Sequence, residues 1–461
     1  MDTQAVLDRV EANLDASRER WFDLLRIPSI STQPAHAADC RAAAEWLRAE
    51  LAGLGFRAEI RPTAGHPVVL AHHDGPGDGA PHLLFYGHYD VQPAEPLDLW
   101  DHPPFEPAFV DGPHGKRVYA RGAVDDKGQV MLWLEALRAW HDVTGTLPVR
   151  VTVLVEGEEE IGSLNLDPFI ESHVAELKAD VAVISDTGMW DIDTPALTTR
   201  LRGMVYAQVT LRAASRDLHS GIFGGSALNP INALTQILGQ LQDANGRVQL
   251  PGFYDGIEDL APAQRAEWDS LGFKEADFLG DIGLAHPVGE TNRAPLERLW
   301  ARPTADINGI WGGYQGPGSK TVIAAEAGAK VSFRLVPGQD PVKIADAFRR
   351  FLADRAPPDA KIEVETFKAS PGIVIHQEGR FVTAAQAALA DEYGRPAVLV
   401  GSGGSIPVVE SFRRVLGIDS ILMGFGLDDD QVHSPNEKFE WACFRHGIRS
   451  HARLLGRLQN S

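Results

Sequence analysis

Imidazole and carboxylate side chains recur in this chain at the ends of short apolar runs. Leu83-Leu84-Phe85-Tyr86-Gly87 leads into His88-Tyr89-Asp90, and residues 149–155 lead into Glu156-Gly157-Glu158-Glu159-Glu160. Val181-Ala182-Val183-Ile184 leads to Asp186, and Ile421-Leu422-Met423 precedes His433. Runs of this kind read as strands buried on both faces, the parallel-sheet type. Ligands of open α/β sheets gather at the carboxyl ends of such strands, so His88, Glu160, Asp186 and His433 are expected to converge although they are far apart in sequence. Imidazole with carboxylate suits zinc, manganese or cobalt, and metal-assisted hydrolysis is the chemistry such a set supports.

There are too many candidate ligands for one tetrahedral ion, so two ions are the better account. Asp125, in the tight Gly122-Ala123-Val124-Asp125-Asp126-Lys127-Gly128 turn, is placed to bridge them. His88 and Asp186 then complete one site, Glu160 and His433 the other. Two dications are balanced by three carboxylates and a hydroxide, and a neutral cluster avoids the cost of burying net charge. Asp90 would orient His88 from behind. Glu159, next to a ligand without duplicating it, would take a proton from the bridging water and pass it to the leaving group. Each string alone has a plainer reading. A lone His-x-Asp is usually structural, a glutamate triplet is usually a charged helix end, and Asp428-Asp429-Asp430 reads as a solvated loop rather than a calcium site. Gly401-Ser402-Gly403-Gly404-Ser405 could cradle an anion but lacks a phosphate lysine. Joint occurrence at strand ends shifts the balance toward function.

The elements that must position these groups form more than one domain. At 461 residues the chain can bury two or three cores, and its hydrophobic share of 44% is that of a globular protein. A formal charge of -20 argues against nucleic acid or an anionic membrane as partner. Two cysteines make no disulfide framework, and with neither a signal pattern nor an 18-residue apolar run the expected location is the cytoplasm. Val6, Leu7, Val10, Leu14, Trp21, Leu24 and Leu25 predict a helix that stops before Pro28, and Val130, Trp133, Leu134 and Leu137 predict another at 129–140. Strand and helix patterns alternate to about residue 198. Beyond Arg200 the texture changes to strand-helix units at 205–211 with 231–241 and at 331–335 with 344–351, then a last strand at 362–364. Residues 251–303 show no period and read as an irregular excursion. The expected fold is α/β: a discontinuous doubly wound catalytic domain, residues 1–198 and 370–461, with a smaller α/β sandwich, residues 199–369, inserted in it.

Four strings together are highly specific: Gly87-His88-Tyr89-Asp90-Val91-Gln92-Pro93, Gly122-Ala123-Val124-Asp125-Asp126-Lys127-Gly128, Glu156-Gly157-Glu158-Glu159-Glu160-Ile161-Gly162-Ser163 and Val432-His433-Ser434-Pro435-Asn436-Glu437. Over essentially its whole length the chain resembles the dinuclear zinc peptidases of the carnosinase, carboxypeptidase G and aminoacylase family, above all their dipeptidase branch. The resemblance implies two divalent metal ions per subunit, zinc before manganese or cobalt. His88, Asp125 and Asp186 would bind one ion and Asp125, Glu160 and His433 the other. Asp90 would be the orienting aspartate, Glu159 the general base, and the Asp125-Asp126 peptide cis. It also implies that Arg216-Asp217-Leu218-His219-Ser220-Gly221 is the loop whose histidine reaches into the partner subunit's site and stabilises the oxyanion. The active unit would then be a homodimer and the inserted domain a lid and dimerisation module. Thr321, Arg334 and Ser405 match positions that hold the substrate's backbone and terminal carboxylate, where the planar fork of arginine is apt. Ala324-Ala325-Glu326 departs from relatives with proline and a basic residue there, so no side-chain preference carries over.

The implied activity is hydrolysis of dipeptides or very short peptides with a free C-terminal carboxylate, through a bridging metal-bound hydroxide. The alternatives are an N-acyl-amino-acid amidohydrolase with the same machinery and a non-catalytic binding homologue, which the intact ligand set and Glu159 disfavour. A dinuclear phosphoesterase would find little use for Arg334.

Overall fold

The computed structural model describes residues 2–459, which divide into two compact units. The first comprises the chain up to Thr199, Ile375–Val400, and the chain from Val408 onward. Its sheet contains β1 (Arg57–Arg61), β2 (Val68–His73), β3 (His82–His88), β4 (Arg150–Glu156), β5 (Val181–Ile184), β6 (Ala196–Leu201) and β7 (Asp419–Leu422), in the order β1-β2-β4-β3-β5-β7-β6. The middle four, β4, β3, β5 and β7, are parallel. Every residue of β5 is buried.

The expected α/β sheet is present, and its flanks add antiparallel strands. β1, β2 and β6 pair antiparallel with their neighbours, so the sheet is mixed. Only six residues join β1 to β2. That is too few for the crossover a parallel pair requires. β1 lies at the end of the strand order, and Arg57, Glu59 and Arg61 on it discourage pairing with another chain.

Registers align the strand ends. His88 lies opposite Glu156, and Tyr86 opposite both Leu154 and Ile184. Helix α1 (Thr3–Leu25) opens on an Asp2 cap, which accepts the Gln4 N–H, and buries the apolar positions read from the sequence except partly buried Leu14. It is followed by α2 (Ala37–Gly53), α3 (Lys127–Thr144), α4 (Arg380–Tyr393) and α5 (Trp441–Leu458). Helix α3 is buried along almost its whole length, between α1 and α5, and ends on Gly145 in the left-handed region. The Trp21 ring of α1 stacks on Phe444 of α5 at 4.4 Å.

The second unit, Arg200–Val374 with Gly401–Pro407, is built on a four-stranded antiparallel sheet. Its order is Thr304–Gly312, Glu326–Leu335, Gly203–Arg212, Lys361–Ser370. Gly203–Arg212 alternates buried and half-exposed residues, and Val205, Ala207, Val209 and Leu211 share one core with Leu234 and Ile237 of Pro230–Leu238 and with Phe348 and Phe351 of Pro341–Ala353. Two features were not legible beforehand. Strand Thr304–Gly312 exposes Ile307 and Ile310 and carries a register shift between Ile307 and Gly309, so it shows no clean alternation. The excursion at 251–303 holds three short helices, Pro262–Ser270, Glu275–Gly280 and Pro295–Trp300, each too short to display a period. Trp268 and Trp300 pack edge to face within it at 5.0 Å.

One buried carboxylate ties α4 to α5. Glu392 takes hydrogen bonds from His446 at 2.8 Å, Arg449 at 2.6 Å and Arg453 at 2.8 Å. Burial alone would raise its pKa, but these partners outweigh it and hold the carboxyl at about 2, from the usual 4.5. A depressed carboxylate contributes stability that is present above the unfolded pKa and lost as pH falls through the folded one, so the window here runs from about pH 4.5 down to 2. Glu392→Gln should therefore lower the free energy of urea unfolding by about 3 kcal/mol at pH 7. The difference from wild type should shrink as pH falls below 4.5; a difference independent of pH between 7 and 3 would show that the ion pairs do not carry it.

Candidate metal centre and substrate groups

The carboxyl ends of the parallel strands bring the expected ligands together in the first unit. His88 ends β3, Glu160 lies four residues past β4, Asp186 two residues past β5, and His433 in the loop after β7. Two triads result, His88 with Asp125 and Asp186, and Asp125 with Glu160 and His433; in each, one ligand atom per residue lies within 4.8 Å of the others. Asp125 belongs to both, and its two oxygens are divided between them. Oδ1 is 3.1 Å from His88 Nε2 and Oδ2 is 2.9 Å from His433 Nε2. Glu160 Oε2 stands 3.2 Å from His433 Nε2, and Asp186 Oδ2 3.9 Å from His88 Nε2. Bonds of about 2.0 to 2.2 Å to a tetrahedral ion place neighbouring ligand atoms about 3.3 Å apart, the spacing seen here.

These residues fit an ion better than they fit one another. His88 is fully buried, and its Nε2 approaches Asp125 and Asp186 yet makes no hydrogen bond. Its other nitrogen is engaged: Nδ1 donates to the Asp90 carbonyl at 3.0 Å, which leaves Nε2 with its lone pair toward the carboxylates. The electrostatics agree. Burial, then the neighbouring Asp125 charge, pushes Asp186 up to about 7. Burial also raises Glu159 to about 8, with Asp186 and Glu160 adding to the effect against His88. Asp125 is held well below the usual carboxylate range despite burial, by the adjacent His433 and His88, and His433 is raised to about 10 by Asp125 and Glu160. This is negative charge that the local imidazoles compensate only in part, and the N and O ligand set suits a divalent transition metal. Glu159 stands beside the triads, and its carboxylate accepts no hydrogen bond from the described residues.

The supporting contacts explain the placement. The Asp125-Asp126 peptide is cis. Asp126 accepts the His88 N–H at 3.0 Å. The Asp90 carboxylate, expected to orient His88, lies 3.4 Å from Nδ1, while the hydrogen bond goes to the Asp90 main chain. The carboxylate instead accepts the N–H groups of Glu159 and Glu160 at 3.2 and 3.1 Å, so it holds the turn carrying both. Gln92 donates to Glu160 Oε2 at 2.8 Å. Gln129 of α3 joins the loops after β5 and β7, donating to the Thr187 carbonyl at 2.9 Å and accepting the Phe425 N–H at 2.8 Å.

Sequence reading missed Glu437. Its buried carboxylate accepts from Arg121 at 2.8 Å and from the main-chain N–H groups of Gly122, Val124 and Asp125 at 2.9, 3.0 and 3.1 Å. It thus fixes the turn of the shared Asp125 from the segment that carries His433; only its place in the His433-Ser434-Pro435-Asn436-Glu437 string marked it. That segment is itself constrained, with His433 in the left-handed region at φ 61°. Asp430 corrects the solvated-loop reading of Asp428-Asp429-Asp430. It is fully buried, accepts the Leu427 N–H at 2.7 Å and pairs with Lys438 at 2.6 Å.

The remaining expected residues lie in the second unit as two groups. His219 is exposed; it pairs with Val322 in a two-residue ladder beside Thr321, whose carbonyl accepts the Ser220 N–H at 3.0 Å. His219 Nδ1 accepts the Gly221 N–H at 3.0 Å, which leaves the ring proton on Nε2. Arg334 and Ser405 are directly bonded, Nη1 to Oγ at 3.1 Å.

Comparison with known proteins agrees with this geometry. Residues 84–457 match the model of peptidase family M20/M25/M40. The chain is 31% identical to the Cys-Gly metallodipeptidase DUG1 of Candida albicans, covering 97% of this chain and 95% of that one. It is 31% identical to the human Beta-Ala-His dipeptidase over 81% of this chain and 73% of that one. The structure of the dipeptidase Dug1p from Saccharomyces cerevisiae superposes with a TM-score of 0.88 at 28% identity, covering 100% and 99% of the two chains. The chain belongs to the M20 peptidase family and, within it, to the metallodipeptidase branch. Among the described residues no helix is long and apolar enough to cross a membrane.

Because Glu437 holds the turn of the residue shared by both triads, Glu437→Gln should weaken metal binding about 10- to 100-fold while the fold is kept. Competition with a chromogenic chelator measures this, and circular dichroism checks the fold. Unchanged affinity in the variant would show that the turn keeps its shape without the carboxylate.

Proposed function

We propose that the protein hydrolyses dipeptides and very short peptides with a free C-terminal carboxylate, in a reaction that requires two divalent ions. The observation that carries this reading is the pair of triads sharing Asp125, one oxygen facing each histidine, with unbonded Glu159 beside them. His88, Asp125 and Asp186 would hold one ion and Asp125, Glu160 and His433 the other. Zinc is the first choice, with manganese and cobalt as alternatives. When bound, the ions supply polarisation of the scissile carbonyl and a lowered pKa for the attacking water.

The chain's own residues do the rest. Glu159 takes the proton of the attacking water and returns it to the leaving amine. Its raised proton affinity suits a group that must accept and donate near neutral pH, and neighbouring cations draw that affinity down toward neutrality. Asp90 keeps Glu159 and Glu160 in place through their main chain. His219 offers its Nε2 proton to the developing oxyanion. Arg334 and Ser405 hold the terminal carboxylate, and Thr321 the substrate backbone. Exposed His219 is assigned to the partner subunit's site, so the working unit is a homodimer in which the second unit serves as lid and dimerisation module. Two buried free cysteines suit a reducing cytoplasm.

The substrate class is tested with a panel of Cys-Gly, β-Ala-His, other dipeptides, their C-terminal amides and N-acetyl amino acids, after loading with zinc, manganese or cobalt. Free-acid dipeptides should be the best substrates; a preference for N-acetyl amino acids would make the protein an amidohydrolase instead. Thorough chelation should abolish turnover and metal return restore it. Glu159→Gln should lose at least about 100-fold in turnover while retaining its metal. Metal loss in Glu159→Gln together with full metal retention in Glu160→Gln would exchange the two roles.

The dimer has its own test. Glu159→Ala and His219→Ala homodimers should each be nearly inactive. Random reassembly makes about half the dimers mixed, each with one intact site of two, so activity should recover to about a quarter of wild type. No recovery despite subunit exchange seen by mass spectrometry would place His219 in its own subunit's site.

A further inference from the structure

Arg202, at the start of the second unit, has no role in the reading above, yet the loop carrying Ser405 is built around it. Its Nε donates to the Gly403 carbonyl at 2.9 Å and its N–H to the Gly404 carbonyl at 3.1 Å. Its own carbonyl accepts from Ser405 Oγ at 2.6 Å, and the same Oγ accepts from Arg334 at 3.1 Å. A side chain at Gly403 would put its Cβ 2.9 Å from Arg202 Nη2, so the loop comes as close to the guanidinium as glycine permits. Arg202, Ser405 and Arg334 are therefore one hydrogen-bonded cluster.

Several arginines of the unit are neutralised: Arg302 and Arg247 pair with Glu290, Arg298 with Glu275, and Arg293 with Glu297 and Asp259. Neither Arg202 nor Arg334 has a carboxylate among the described residues within 4.0 Å, although both are partly buried. Burial and the nearby charge of Arg334 bring Arg202 down to about 10, against the opposing influence of Asp306, which also acts on Arg334. Placing two cations in this way is costly unless an anion joins them. Arg202 also lines a cavity of about 310 Å³ with Thr304 and Asp306.

We propose that Arg202 is the second cation of the carboxylate-binding subsite, gripping the ligand's terminal carboxylate together with Arg334 while its Nε and main chain hold the Ser405 loop. This rests on the reading of Arg334 and Ser405 as the carboxylate anchor. The Arg334 guanidinium meets this loop at Ser405 and the Arg202 guanidinium meets it at Gly403, two residues away, so a carboxylate with two oxygens can meet one cation on each side. Recognition then selects a free acid over a neutral amide through two charges rather than one.

The test uses the metal-loaded full-length enzyme and compares Arg202→Met, Arg202→Lys and Arg334→Met on one dipeptide and its C-terminal amide. Arg202→Met should raise KM for the free acid at least about tenfold, the loss of one charged hydrogen bond, with kcat nearly unchanged. Loss of the loop contact should lower kcat/KM for both substrates, but for the amide less than for the free acid, so that the preference for the free acid shrinks. Arg202→Lys keeps the charge and a donor for the loop, and should lose less; it is also the variant to measure should Arg202→Met fail to fold. Equal losses on acid and amide, or none on either, would make Arg202 a loop support only and overturn the proposal. If Arg334→Met loses the acid preference while both Arg202 variants keep it, the anchor stands and the second cation is refuted. If Arg334→Met also keeps it, the anchor itself is misassigned.

Discussion

Carboxylates cannot be buried side by side without cations to share the space. Asp125, Glu159, Glu160 and Asp186 face one another at the carboxyl ends of four parallel strands, where His88 and His433 offset their charge only in part. In an apolar setting each such charge costs several kcal/mol unless it is neutralised. The raised proton affinities of Glu159 and Asp186 are the sign of this demand, and a pair of divalent ions is the economical way to meet it. The rest of the first unit can be understood as the frame that keeps these groups from relaxing apart.

That frame works by pinning main chain rather than by touching the ligands' reactive atoms. Asp90 holds the N–H groups of Glu159 and Glu160, Asp126 that of His88, and Glu437 those of Gly122, Val124 and Asp125. Gln129 does the same for the loops after β5 and β7. A carboxylate that accepts several main-chain N–H groups fixes a turn more firmly than side-chain packing can, because each bond is directional and charge-assisted. The second unit repeats the device with opposite sign, since the guanidinium and main chain of Arg202 shape the loop that presents Ser405.

Several expectations were met because they depend on local pattern. Helix α1 follows the spacing of Val6, Leu7, Val10, Trp21, Leu24 and Leu25, and β5 follows an unbroken apolar run. Other features lie where local pattern is silent. The doubly wound sheet is mixed, because the short link between β1 and β2 permits only an antiparallel pair. Strand Thr304–Gly312 exposes its isoleucines, and the short helices within 251–303 have too few turns to show a period. Asp430 sits in an acidic triplet that looks solvated, and only its contact with Lys438 reveals a buried ion pair.

By itself the sequence determined which groups could bind metal and where each would stand, since His88, Glu160 and Asp186 lie within a few residues of apolar runs and parallel strands must end on one side of a sheet. It also carried the family, because four strings of fixed composition recur together. The tertiary structure alone decided which oxygen of Asp125 faces which histidine, that the Asp90 carboxylate serves the glutamate turn more than the imidazole, and that Glu437 holds Asp125. It likewise decided that Arg202 shares Ser405 with Arg334. The reason is distance along the chain: Glu437 and Asp125 are 312 residues apart, and Ser405 and Arg202 are 203. No local period or propensity encodes such pairs; they exist only once the strands are ordered and the loops closed.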